Sequence, residues 1–173
     1  SYVDFFLPSI EEVCYMLDKE KYHELQKKAG GRDVTEILSI EEDVVPLADR
    51  ILQMGCKIAI IKCGAAGFYY KTKDKKAFTD LEKGSGLDFS SFGGKEGFEK
   101  SYAPDAVISG TGAGDTTIAA FLTAMIQGYP FERCLQLAAA TGASCVAAVD
   151  ALSGLKSFDE LADRIDKGWE KNE

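Results

Sequence analysis

Residues 109–115, Ser-Gly-Thr-Gly-Ala-Gly-Asp, carry the densest chemistry in the chain. Gly112 and Gly114 allow backbone angles closed to other residues and let a ligand approach the main chain closely. The apolar run that follows, from about 116 to 127, reads as a helix. A helix opens with unpaired N–H groups and the positive end of its dipole, which together make an anion site. Asp115 brings a carboxylate to the same place. That is an odd choice for holding an anion, but a carboxylate beside a phosphate cradle can take the proton from an attacking hydroxyl. A dinucleotide fingerprint begun at Gly110 and Gly112 needs a third glycine where Asp115 stands, and a Walker-type loop needs a Gly-Lys-Ser/Thr ending that is absent. The plain alternative is a glycine-rich turn with Asp115 as an ordinary helix N-cap.

The elements around this segment alternate strands with helices, which predicts an α/β layered fold. Residues 2–7 read as a short buried strand stopped by Pro8. Ser9 and Glu12 form a capping box for a first helix, with Val13, Met16 and Leu17 at helical spacing; Tyr22 and Leu25 extend or restart it before Gly30. Ser39 and Glu42 predict another box and a helix running to Gly55. Residues 57–61 are continuously apolar after Lys57 and suit a strand covered on both faces. Gly64 and Gly67 break that strand, and another starts at Phe68. Residues 81–100 read as a long loop or insertion, and Val107-Ile108 as a strand leading into the glycines. An Ala-rich helix over 131 to about 149 must be packed on several sides, and Ser157 with Glu160 predicts a last amphipathic helix to Trp169. The chain opens inside a buried-looking strand with no lead-in, which reads as a piece of a longer polypeptide.

With these motifs in place, the sequence resembles the ribokinase-like, PfkB-type carbohydrate kinases. Gly112-Ala113-Gly114-Asp115 and the small-residue run after it look like the end of that family's Asp-Thr-x-Gly-Ala-Gly-Asp signature. Pro8-Ser9-Ile10-Glu11-Glu12 is similar to its Pro-Asn-x-x-Glu, and residues 62–69 are similar to its Thr-Leu-Gly-x-x-Gly loop. The resemblance implies a ribokinase-like α/β fold, a mostly parallel sheet flanked by helices. Residues 1–173 would form the C-terminal nucleotide-binding portion of a single kinase domain. The family's N-terminal sugar-binding segment and β-sheet lid have no counterpart in these residues.

By the same resemblance, Asp115 is the catalytic base that deprotonates a hydroxyl of a sugar or nucleoside as it attacks the γ-phosphate of ATP. The N–H groups of Gly112, Ala113 and Gly114 form the anion hole. Ser9, Lys62, Gly64, Gly67, Ala139 and Gly142 meet the nucleotide, and Glu12 orders Mg²⁺ through water. Each has a structural reading too: Glu12 as the third residue of a capping box, Gly64 and Gly67 as a strand-to-strand turn, Ala139 and Gly142 as helix packing. Ser9 stands where the family has asparagine. Ser109 and Gly110 replace its Asp-Thr, and that aspartate is a ligand in members that bind a monovalent cation, so K⁺ activation does not carry over. Three alternatives stay open: a non-catalytic nucleotide-binding module, an inactive structural fragment, and a vitamin-precursor kinase of the same superfamily.

Bulk properties narrow the rest. The chain has 173 residues, 46% of them hydrophobic, and a net charge of −8. That size suits one domain and that composition a globular chain. The acidic balance argues against nucleic acid or an acidic membrane surface as partner. No apolar stretch approaches the ~18 residues of a membrane span, and no basic-then-apolar leader opens the chain; a soluble protein is expected. The five cysteines form no C-x-x-C pair, so reduced thiols and a cytoplasmic setting are expected. His23 is the only histidine and has no second ligand at metal spacing, which predicts a surface role and argues against triad hydrolase chemistry. ATP and a small sugar-like substrate are the expected partners, and a homodimer of the full-length protein is compatible with the resemblance.

Overall fold

A computed structural model describes residues 2–172. Two compact units emerge, one from the chain up to Asp80 together with Gly93–Phe98, the other from Leu81–Phe92 and the chain from Glu99 onward. Among the described residues there are four β-strands and seven α-helices, and none of the helices is long and apolar enough to cross a membrane.

The first unit is organised by a mixed sheet of order β1-β2-β3-β4, with β1 Phe5–Phe6, β2 Ile58–Lys62, β3 Gly67–Thr72 and β4 Glu96–Lys100. β1 runs parallel to β2, with Phe5 opposite Ile58 and Phe6 opposite Ala59. The connection between them is the helical stretch α1 Ile10–Leu17, α2 Lys19–Ala29 and α3 Val45–Gln53, the long crossover that parallel pairing requires. β2 and β3 pair antiparallel from Ile58–Thr72 to Lys62–Phe68, because a turn as short as Gly64–Ala66 can only reverse the chain. The sheet is therefore mixed, with its parallel pair at β1 and β2.

Ile10, Val13, Cys14, Leu25, Leu47, Ile51 and Ile61 belong to the core on which these helices and β2 pack. The Ser9–Glu12 capping box forms as the sequence predicts: the Ser9 hydroxyl accepts from the Glu12 N–H at 3.2 Å, and Glu12 Oε2 accepts from the Ser9 N–H at 2.6 Å. The helix then restarts, because Asp18 leaves helical geometry and caps α2 through the Lys21 N–H.

The box expected at Ser39 and Glu42 takes another form. Ser39 Oγ accepts from the Glu42 N–H, but the return bond comes from Asp43, one residue later, across a wide π-helical turn Ile40–Val44. The extra residue swings the Asp43 carboxylate inward, where it is 4% exposed and pairs with Lys21 Nζ at 2.5 Å. Burial pushes the Asp43 carboxyl upward, yet the Lys21 ammonium and the Ser39 N–H outweigh it and hold it below the ordinary carboxylate range.

The second unit holds α5 Ala113–Ile126, α6 Phe131–Cys145 and α7 Phe158–Asp166. α5 and α6 pack against each other; Phe89, Phe92, Phe121 and Phe131 are buried, with Phe92 edge-on to Phe131 at 5.2 Å. The region 81–100 is thus no plain loop. It contains most of α4 Thr79–Ser85, two buried phenylalanines and β4. Its Gly, Ser and charge content hid an aromatic pair whose partner, Phe131, lies some 40 residues on.

Three further expectations change. Val107 and Ile108 form no strand; they are exposed, and the Ile108 and Ser109 N–H groups both donate to the Val146 carbonyl. α6 ends at Cys145 rather than near Val149, since the Ala147 and Ala148 N–H groups fall back to carbonyls three residues earlier. Asp150 then turns its carboxylate onto the Leu152 and Ser153 N–H groups, a local bond that competes with helix. α7 stops at Asp166, and Trp169 beyond it stacks on Tyr102 at 4.8 Å, so its role in packing holds. All five cysteines are free and buried, and His23 is exposed.

Candidate active site

α5 begins three residues earlier than its apolar pattern indicates, and this shift defines the site. Gly112 is the N-cap, with φ +79, a left-handed conformation that disfavours any side chain. No side chain caps the helix. Ala113, Gly114 and Asp115 therefore fill its first turn, where backbone N–H groups have no intrahelical acceptor. The Ala113 N–H is drawn to the Gly110 carbonyl at 3.3 Å, a long bond that closes the turn. Asp115 sits in the third helical position, not at the cap. Its side chain is exposed and has no hydrogen-bond or ion-pair partner among the described residues. An ordinary capping role is thereby excluded, and the carboxylate stands unengaged beside the positive end of a 14-residue helix.

The turn is held from behind. A Cβ on Gly112 would collide with Ala151, and the Cys145 thiol lies 3.6 Å from the Thr111 carbonyl and 3.5 Å from the Ala151 carbonyl. The Thr111 N–H donates to Ser109 Oγ at 3.2 Å. Thr117 Oγ1 donates to the Ala113 carbonyl at 2.8 Å and lies 2.5 Å from the position a Gly142 Cβ would take. Gly142 is thus in close packing against α5, and Ala139, on the same helix, is 4% exposed. Within this unit both serve helix packing.

In the first unit the expected residues gather at one end of the parallel pair. Ser9 bridges to Lys62 as the ladder of β1 and β2 runs out, and the Lys62 N–H donates to the Pro8 carbonyl at 2.9 Å. Glu12 lies within the electrostatic reach of Lys62. The Ser9 N–H foremost, with the Ser9 hydroxyl and the Lys62 ammonium, holds the exposed Glu12 carboxyl below the ordinary range. Gly64 and Gly67 bracket the turn beyond Lys62, both with positive φ, +60 and +127. This is the carboxyl end of a parallel strand pair, where open α/β sheets bind ligands. No motif announces Thr35, whose Oγ1 lies 2.6 Å from where a Gly64 Cβ would stand and donates to Asp33 Oδ1 at 2.7 Å. Ala151 and Cys145 were equally hidden, since neither belongs to a motif. No three His, Cys, Asp or Glu side chains among the described residues are placed to hold a metal ion.

Comparison with known proteins places the fold and the family. A nucleoside kinase of Methanocaldococcus jannaschii is 39% identical over 61 residues, which are 35% of this chain and 20% of that protein. A ribokinase structure from Thermotoga maritima superposes with a TM-score of 0.59 at 21% identity, over 95% of this chain and 43% of that one. The structure of Arabidopsis thaliana ribokinase complexed with ribose and ATP does so with a TM-score of 0.54 at 24% identity, over 70% and 33%. These structures share the ribokinase-like fold with the chain. The matched stretches span a fifth to a third of the curated relatives. The model of the pfkB family of carbohydrate kinases matches residues 1–157, nearly the whole sequence, and the chain belongs to that family.

Proposed function

We propose that the chain carries the phosphoryl-transfer end of an ATP-dependent kinase whose acceptor is a hydroxyl of a sugar or nucleoside. The observation that carries this reading is the open first turn of α5, with an unpartnered Asp115 beside it, in a member of the pfkB family. The N–H groups of Gly112, Ala113 and Gly114, aligned with the helix dipole, stabilise the charge that develops on the γ-phosphoryl oxygens. Ala113 contributes by exchanging its long bond to Gly110 for one to the phosphoryl group. As the acceptor oxygen bonds to the γ-phosphorus and the bond to the β-phosphate oxygen breaks, the hydroxyl proton passes to Asp115 and ADP leaves.

The metal arrives with the triphosphate, as Mg-ATP. Glu12 suits an indirect contact, because Oε2 is already engaged by the Ser9 N–H and, among the described residues, it belongs to no group of three metal-ligating side chains. An ionised carboxylate so placed can order a water on the cation. Ser9, Lys62, Gly64 and Gly67 in the first unit and Ala139 and Gly142 in the second are assigned to the nucleotide. A second reading, a nucleotide-binding module that performs no transfer, is favoured by Ser9, Ser109 and Gly110, which depart from the family's pattern.

The test is acceptor-dependent ADP formation by the 173-residue chain across a panel of sugars, nucleosides and vitamin precursors. Transfer that falls roughly 10²–10⁴-fold in Asp115→Asn, with Mg-ATP still bound, supports the kinase reading. Bound ATP with no transfer to any acceptor supports the second reading. Full activity in Asp115→Asn removes Asp115 from the reaction.

A further inference from the structure

Behind the glycine turn lies a fastening that no motif announces. The loop after α6 is closed on itself: Asp150 Oδ1 accepts from the Leu152 and Ser153 N–H groups at 2.8 Å each, and Oδ2 accepts from Ser153 Oγ at 2.6 Å. Its far end packs Gly154 directly on the Ser144 carbonyl, with no room for a Cβ. Its middle meets the turn. Ala151 fills the space that a side chain on Gly112 would need, and the Cys145 thiol sits between the Ala151 and Thr111 carbonyls at 3.5 and 3.6 Å. At the other edge, the Ile108 and Ser109 N–H groups both reach the Val146 carbonyl. The turn that opens α5 is thus gripped on two sides by residues 145–151.

We propose that this loop, through Ala151 with Cys145 behind it, positions the Gly112 turn so that its N–H groups converge on a phosphate oxygen. Both are positioning residues and neither touches substrate. The proposal rests on the kinase reading for what the turn binds, but not for the fastening itself. Removing the Ala151 methyl leaves Gly112, a residue of wide conformational freedom, without its wall. Removing the thiol leaves two carbonyls without a shared donor. The turn then samples more conformations, and an anion site that depends on aligned N–H groups loses affinity.

The experiment compares Ala151→Gly and Cys145→Ala with a control, Cys134→Ala, in the full 173-residue chain. Cys134 is equally buried in the same unit and its thiol also meets a carbonyl, that of Tyr129 at 3.3 Å, away from the turn. Three quantities are read: Mg-ATP affinity by calorimetry, melting temperature, and the amide order parameters of Gly112 and Gly114 by NMR relaxation. Ala151→Gly and Cys145→Ala should each weaken Mg-ATP binding roughly tenfold, since small misplacements near a reacting group can cost up to about 10²-fold. They should also lower both order parameters, and Cys145→Ser should recover part of each effect. Cys134→Ala should lose stability alone. Unchanged order parameters in both test variants, or an equal loss of affinity in the control, overturn the proposal. If the parent chain binds no Mg-ATP, the order parameters alone decide whether the loop positions the turn.

Discussion

Gly112→Ala isolates what the glycine turn demands. At φ +79 an alanine costs about 1–2 kcal/mol in backbone strain. The new Cβ also falls well inside contact distance of Ala151, whose own position is fixed by the Asp150 bonds. Overpacking of that kind costs about 1–3 kcal/mol more. The whole penalty is therefore about 2–5 kcal/mol, a large part of the ~5–15 kcal/mol that holds a domain folded. Two other glycines separate the contributions. Gly128 has φ +81 with nothing within 4 Å of an added Cβ, so Gly128→Ala carries the strain alone. Gly110 has open space and no such conformation, so Gly110→Ala should lie within about 0.5 kcal/mol of the parent. Urea unfolding of the three variants gives the ranking Gly112→Ala, then Gly128→Ala, then Gly110→Ala. A Gly112→Ala chain as stable as Gly128→Ala would refute the packing of Ala151 on the turn, and one as stable as Gly110→Ala would refute the left-handed cap as well.

Asp43→Asn should lower stability by about 1.5–3 kcal/mol at pH 7, the usual worth of hydrogen bonds to a charged group. Because the folded carboxyl titrates below its unfolded value, that contribution is present above the ordinary carboxylate range near pH 4 and is lost as pH falls through the folded value. The parent and variant unfolding curves should therefore converge in acid; a constant gap down to pH 2 would contradict the ion pair. Burial pushes the Cys14 and Cys63 thiols up to about 11 and Cys134 up to about 12. All five cysteines are buried, so a disulfide-forming dye at pH 8 should label none of them in the native chain and all five in denaturant. Gly64→Ala should strain the left-handed turn and displace Thr35, costing about 1–3 kcal/mol, and Thr35→Ala should return part of that loss by removing the hydroxyl it strikes. Equal stabilities of Gly64→Ala with and without Thr35→Ala would disprove the contact.

What was legible in the sequence is what local chemistry decides. The capping boxes at Ser9 and Ser157 formed as written, because cap and third residue meet within one helical turn. Of the two glycines expected to use backbone angles closed to other residues, Gly112 does so, whereas Gly114 lies inside the first turn of α5 and has no positive φ. The gathering of Ser9, Glu12, Lys62 and Gly64 at one strand end follows from β1 pairing parallel with β2. The misreadings share a cause of another kind. Phe89 and Phe92 belong to a core completed by Phe131, and Thr35 and Ala151 matter because a glycine of a distant segment leaves room for each. Val107 and Ile108 have strand-forming side chains, but their neighbours offer the Val146 carbonyl rather than a ladder. Contacts between remote segments are invisible to periodicity, and they define how the glycine turn is held.

The most direct test of the central claim is an NMR titration of the 173-residue chain with Mg-ATP, following the backbone amides of residues 109–116. The kinase account predicts saturable shifts centred on Gly112, Ala113 and Gly114 that persist in Asp115→Asn and vanish in Gly114→Val. Saturable shifts confined to other residues, or binding that survives Gly114→Val undiminished, would contradict a phosphate site at the start of α5.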